Sequence, residues 1–218
     1  MLKHHAAVAL LLASCLGVQS AVAQRKAGQP GPNRASFGIV GGLNLATFTG
    51  SDATGSETRT GFHGGLAANI SLGSSLFFQP QALYSMKGAT ASESGATGEF
   101  KLNYLEVPLF LGLRIPMQSS GIRPYVMAGP YLGLKMGCKF KVSGGGVSAE
   151  VNCDDPNIDL GIKSTDFGVA FGAGVEVPMG SGLLSFGARY SMGLSDVVTD
   201  VAMKNSVISF GAGYFFGR

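Results

Sequence analysis

The sequence predicts an all-β protein, an eight-stranded antiparallel up-and-down transmembrane β-barrel, on three observations. Apolar residues recur at every second position over eight stretches, each longer than the roughly nine residues a tilted strand needs to cross a bilayer. The chain is 45% hydrophobic but only 13% charged, whereas a soluble domain carries about a quarter charged residues. Beyond the N-terminus, no uncharged apolar run approaches the roughly 20 residues of a spanning helix. The 34 glycines and the absence of Trp fit strands better than membrane helices.

The N-terminus reads as an export leader. Lys3 supplies a basic start, Ala6 to Val18 an apolar core, and Ala21-Val22-Ala23 a small-residue cleavage site before Gln24. A competing signal lies inside it, because Leu12-Ala13-Ser14-Cys15 has the form of a lipoprotein box that would make Cys15 the lipid-modified first residue. The domain reading is therefore signal peptide 1–23, a flexible Gly/Pro/Gln/Arg-rich segment 24–35, and a barrel 36–218. Formal charge is +3 with no basic run, which excludes nucleic acid as a partner.

The predicted strands are Ser36 to Phe48, Gly61 to Leu72, Leu76 to Gly88, Phe100 to Ile115, Ile122 to Met136, Thr165 to Val177, Leu183 to Leu194 and Asn205 to Phe216. The fourth shows the pattern most plainly. Leu105, Val107, Leu109, Leu111, Leu113 and Ile115 share one face, and Tyr104, Glu106, Phe110, Gly112 and Arg114 the other. The sixth sets Phe167, Val169, Phe171 and Val175 against Asp166, Gly168, Gly172 and Glu176, and the last two strands repeat the division. A water-soluble ligand-carrying barrel would place its charges outside. Here they are few and lie on the Gly/Ser/Ala-rich face, so the oily face is expected to meet lipid. Closing the ring leaves no backbone edge unsatisfied in hydrocarbon. Connections after the second, fourth and sixth strands are short, and those after the first, third, fifth and seventh are expected to be long and polar.

Several residues stand out as candidate sites. Glu106, Arg114, Arg123, Glu176 and Arg189 are expected to form a charge network plugging the lumen, since eight strands leave an interior just wide enough for side chains; a narrow pore is the alternative. Cys138 and Cys153 are expected to form a disulfide in an oxidising compartment, closing a loop worth about 3 kcal/mol. Two distant thiols offer too few ligands for a metal. His63 is the lone histidine outside the leader. A lipid-modifying enzyme would need it paired with a nucleophile such as Ser71 or Ser85, and no cofactor or catalytic set is predicted. Asp154, Asp155, Asn157 and Asp159 hint at calcium but lack the glycine and distal Glu of an EF-hand. Phe77, Phe78, Tyr84, Tyr125, Tyr131, Tyr190, Tyr214 and Phe216 are read as interfacial girdles or barrel filling.

Leu102-Asn103-Tyr104-Leu105-Glu106-Val107-Pro108-Leu109-Phe110-Leu111 resembles the core motif of the PorT-like outer-membrane β-barrel domain family of Bacteroidota. Phe37 to Leu45 is similar to that family's first strand, and Asp166-Phe167-Gly168 through Glu176 to its sixth. In Ser209-Phe210-Gly211-Ala212-Gly213-Tyr214-Phe215-Phe216, the residues Ser209, Gly211, Tyr214 and Phe216 resemble the signal read by the barrel-assembly machinery, with a departure in the closing Gly217-Arg218. The resemblance implies location in the bacterial outer membrane, with outer-membrane lipid, the assembly machinery and an envelope protein as partners. It implies fold and location more than activity, which does not follow from fold alone; with no catalytic set in the sequence, the expected role is non-enzymatic, structural or binding through the outer loops, with an envelope or secretion complex as the expected association.

Overall fold

The computed structural model describes residues 35–93, 95–117, 121–153, 155 and 160–217. The leader 1–23 with Cys15, the segment 24–35 up to its last residue, and Asp154, Asn157 and Asp159 of the acidic run lie outside the described residues.

The strands are β1 (Ala35–Thr49), β2 (Glu57–Ser71), β3 (Leu76–Glu93), β4 (Ala96–Arg114), β5 (Arg123–Gly144), β6 (Val147–Asn152), β7 (Thr165–Met179), β8 (Gly182–Gly193) and β9 (Lys204–Phe216). They form one nine-stranded sheet in the order β4-β3-β2-β1-β9-β8-β7-β5-β6, with a further pairing of β4 to β5, and all pairings are antiparallel. This corrects the expected eight-stranded up-and-down barrel: a ninth strand is present, and the hydrogen-bonded ring does not close evenly. β5 pairs with β7 only from Arg123 to Leu134, then takes β6 as its neighbour from Lys139 to Gly144. β4 accompanies it along both stretches. The sheet thus curls back on itself, and the ends of β3, β4 and β5, with β6, run on as a flap.

The physical reason lies in the turns. Gly145 and Gly146 adopt φ of 58° and 81°, the left-handed pair that matches a two-residue hairpin to the twist of its strands. The alternating Val147-Ser148-Ala149-Glu150-Val151-Asn152 then pairs with β5, although it is too short to cross a bilayer and so reads as loop in the sequence. A second correction concerns the long loop expected after the third strand. Strand runs to Glu93 and resumes at Ala96, because Gly95 at φ 83° turns the chain tightly.

Between Asn103 and Tyr104 of β4, whose partners are Gly137 and Lys135, the register slips by one residue. Met136 is the extra residue, and such a bulge changes which parity faces inward. Below it Tyr125 and Tyr131 are buried; above it Cys138 is.

The enclosed side is packed aromatic against glycine. Phe77 opposes Gly112, and Tyr131 and Tyr125 oppose Gly168 and Gly174. A methyl group added at Gly112, Gly168 or Gly174 would come within 2.8 Å of the facing ring. Glycine on this face is therefore a seat for a ring from the next strand. Tyr84, Tyr190 and Phe216 point outward, while Phe77, Tyr125 and Tyr131 fill the interior.

Candidate functional site

The lower interior is held by Arg114 and Glu176. Arg114 Nε donates to Glu176 Oε2 at 2.6 Å and Nη2 to Oε1 at 3.2 Å, a bidentate fork. Nη2 also reaches Asn69 Oδ1 at 2.7 Å and Nη1 reaches Ser71 Oγ at 3.3 Å, while the guanidinium lies over Phe77.

Above it sits a second cluster that sequence reading caught only in part. Lys87 Nζ lies 2.5 Å from Glu106 Oε2 and 3.0 Å from Asp166 Oδ2. Tyr131 and Asn205 donate to that same Asp166 oxygen at 3.3 and 3.1 Å, Arg189 Nη2 approaches Glu106 Oε1 at 3.5 Å, and Lys87 Nζ is 4.2 Å from the centre of the Tyr131 ring. Buried charges persist only when several partners satisfy them. Lys87 was absent from the expected network, yet its signal was there: it continues the parity of Phe77, Gln79, Gln81, Leu83 and Ser85, all buried. Arg123 is exposed and lines a depression at the opposite end with Arg114; the carboxylate facing it in register, Glu176, is taken by Arg114.

Between the two clusters lies a cavity of about 60 Å³ bordered by His63, Gln81, Arg189 and Ser209. His63 Nδ1 is 2.8 Å from Asn44 Oδ1, which also accepts from Ser209 Oγ at 2.9 Å. The amide of Asn44 in turn donates to Ser85 Oγ at 3.1 Å and to the Met86 carbonyl at 3.0 Å. An amide oxygen can only accept, so His63 carries its proton on Nδ1. Ser85 stands opposite His63 in the register of β2 and β3, but its hydroxyl accepts from the Asn44 amide, as that of Ser71 accepts from Arg114. Of the assembly-signal residues, Ser209 faces inward, Gly211 sits opposite Gly42, Tyr214 donates to the Met179 carbonyl at 3.3 Å, and Phe216 packs edge-on against Tyr214 at 4.9 Å. Asp155 donates its backbone N–H to the Asn152 carbonyl at 3.3 Å. Among the described residues no group of His, Cys, Asp and Glu could hold a metal ion.

The outer surface carries a continuous apolar belt. Along one level the register links Leu111, Ala128, Phe171, Tyr190, Ile208 and Leu45 across six strands. Leu66 is 65% and Phe37 62% exposed, against 1% for Lys87 and Glu106 inside.

At one level the two faces exchange character. Inside, Asn44 gives way to Ala46 and Phe48, Lys87 to Ala89, and Tyr104 to Leu102 and Phe100; outside, Leu105 gives way to Lys101 and Glu99, and past the bulge Lys139 and Lys141 follow. On the flap's outer face Glu150 accepts from Lys139 at 2.8 Å and from Lys101 at 3.1 Å, and these bonds hold its carboxyl below the ordinary carboxylate value. On the inner face Phe48, Leu102, Tyr104, Val197 and the Cys138–Cys153 disulfide form an apolar cluster. The segment 195–203 closes over it through Val197 N–H to Met203 O at 2.7 Å and Ala202 N–H to Asp52 Oδ2 at 2.8 Å.

A family model described as "Outer membrane protein beta-barrel domain" matches residues 22–199. No curated protein matches the chain. Among solved structures, Neisserial surface protein A is 20% identical, with TM-score 0.49, covering 83% of this chain and 97% of that one. Ail, the attachment invasion locus protein of Yersinia pestis, is 18% identical, with TM-score 0.42, covering 84% and 99%. OprG of Pseudomonas aeruginosa is 15% identical, with TM-score 0.44, covering 86% and 99%.

Proposed function

Because the chain belongs to the outer membrane protein beta-barrel domain family, we propose that it is an exported, non-enzymatic outer-membrane protein, freed of its leader near Ala23, that binds through the end bearing the flap. Its affinity within the family is to the PorT-like members that the Tyr104-Leu105-Glu106-Val107-Pro108-Leu109 motif resembles.

One observation carries this reading: the exchange of the two faces at a single level. An exposed apolar belt far larger than the few hundred Å² usual on a soluble monomer needs a lipid cover. Where the belt stops, Lys101, Lys139, Lys141, Glu99 and Glu150 take its place, as the headgroup and water side demands. Everything above that line, with its disulfide and its 195–203 cover, is a compact module held outside the bilayer. The interior below it is filled by large side chains and ion pairs, which supports a binding protein over a channel.

The test is a peptide epitope inserted between Gly145 and Gly146 in full-length protein expressed in a Gram-negative host. Antibody binding to intact cells, with purified protein that needs detergent to remain dispersed, is the expected result. A processed chain that stays monodisperse in plain buffer overturns the reading.

A further inference from the structure

We infer that the module above the belt is a binding pocket for a single uncharged hydrocarbon chain. The pocket is a cavity of about 300 Å³ between the β1–β2 connection, the upper ends of β3, β4 and β5, and the cover 195–203, walled by Phe48, Ala89, Phe100, Phe140, Val198 and Met203. This rests on the reading that the flap end stands outside the lipid.

The wall is built by the exchange of faces. Ala89, Phe100 and Phe140 lie in register across three strands and turn their side chains to the enclosed side, while their sequence neighbours on the other side are Glu99, Lys101, Lys139 and Lys141. Phe100 also packs against Phe48 and Phe140 at 5.9 and 6.1 Å between ring centres. Membrane lipid does not account for this wall, because the face at that level which points away from the enclosed side is charged.

Ser56, Thr90 and Asp52 at the edge are already engaged. Ser56 Oγ accepts the Phe48 N–H at 3.1 Å and bonds Thr47 Oγ1 at 3.1 Å, and Thr90 Oγ1 donates to the Thr58 carbonyl at 3.4 Å. Asp52 is the one ionisable residue among the described lining, and its Oδ2 accepts the Ala202 N–H at 2.8 Å. A ligand therefore meets alkyl and aromatic carbon, with no cation to receive an acid and one carboxylate to repel it. Water in such a cavity lacks the two to four polar partners it needs, and the volume matches the lower range of small-molecule sites, about 300 Å³.

Photolabelling of the processed full chain in nanodiscs tests this, with a diazirine-bearing decanol as the free chain and a diazirine-bearing phosphatidylcholine as the bilayer's own. Crosslinks to 48–56 and 198–203 by either probe are expected, and which probe gives them names the source of the chain. At Gly98 an added Cβ would sit in ordinary contact with the Phe140 ring, Cζ at 3.5 Å, so Gly98→Phe can be built without displacing backbone. It and Ala91→Phe, on the same wall, should each cut those crosslinks by roughly tenfold by filling the pocket. In both variants phosphatidylcholine crosslinks to Phe37 and Leu66 should stay unchanged, which shows the sheet is folded in lipid. Belt crosslinks without pocket crosslinks overturn the pocket alone; absence of belt crosslinks overturns the membrane placement beneath it. Decanoate labelling as strongly as decanol would also overturn the uncharged assignment.

Discussion

Lys87 and Glu106 meet at 2.5 Å with both side chains 1% exposed, the most deeply enclosed ion pair among the described residues. Taking two charges out of water costs several kcal/mol per ion, and here Asp166, Tyr131 and Arg189 supply the further contacts that offset it. Lys87→Met should then destabilise the fold by about 3–5 kcal/mol, because it removes the cation shared by Glu106 and Asp166 and leaves only Arg189 beside Glu106. The double variant Lys87→Met with Asp166→Asn should lose less than the two single losses added together. Urea unfolding in lipid vesicles measures both, and strict additivity would show that the pair is not coupled.

The aromatic seats predict which glycines matter. Gly168→Ala would bring a methyl to 2.6 Å from the Tyr131 ring and 2.2 Å from the Met192 carbonyl, so a loss of about 1–3 kcal/mol from overpacking is expected. Gly64→Ala is the control, since the nearest atom, the Val40 carbonyl oxygen, is 3.8 Å away. A comparison of their unfolding midpoints checks the contrast. Equal midpoints would mean that the ring of Tyr131 moves aside freely.

These interactions also show how far the sequence can be read. Period-two alternation placed Glu106, Arg114, Glu176 and Arg189 inside and Leu111, Phe171 and Phe210 outside, because a strand's two faces are set by parity alone. Parity fails where the chain slips. The extra residue Met136 reverses the inward set on β5, and no local signal in Leu134-Lys135-Met136-Gly137 marks it. β6 stayed hidden for a different reason: a six-residue strand is too short to look like a membrane crossing, so Gly144-Gly145-Gly146 read as loop rather than as a hairpin turn. The cover 195–203 and its contact with Cys138 come from residues far apart in the chain, which neither alternation nor spacing can bring together. Lys87 lies inside the predicted third strand with the parity of the buried Leu83 and Ser85, so it was legible by parity; its ion pairs with Glu106 and Asp166, on two other strands, are what alternation does not show.

Glu150 makes the flap sensitive to acid. Bonds from Lys139 and Lys101 hold its carboxyl below the ordinary value of 4.5, so the proton is bound more weakly in the folded flap than in the open chain. The support it gives is present above the ordinary carboxylate value and is lost as pH falls through the lower folded one. Backbone hydrogen-exchange protection across Val147–Asn152, measured relative to the intrinsic rate at each pH, should fall in acid, and that of the belt strands should not. Glu150→Gln should show low protection already at neutral pH and no further fall below it. An acid response that survives in Glu150→Gln would place the switch elsewhere.

The packed interior predicts electrical silence. Phe110, Tyr131, Phe77 and Phe215 are 2% exposed or less, and they pack the interior around the Lys87 and Arg114 clusters and the small cavity between them. A permeating ion would have to shed its water and pass both clusters, whose carboxylates are already paired with Lys87, Arg189 and Arg114. Planar-bilayer recordings of the wild-type protein should therefore show no steady conductance. Removing bulk without touching charge, as in Phe110→Ala with Phe77→Ala, should produce openings, because it widens the path while both ion pairs persist. Steady wild-type conductance abolished by Arg114→Met would instead make that arginine part of a pathway, and the packed interior would then be a gate.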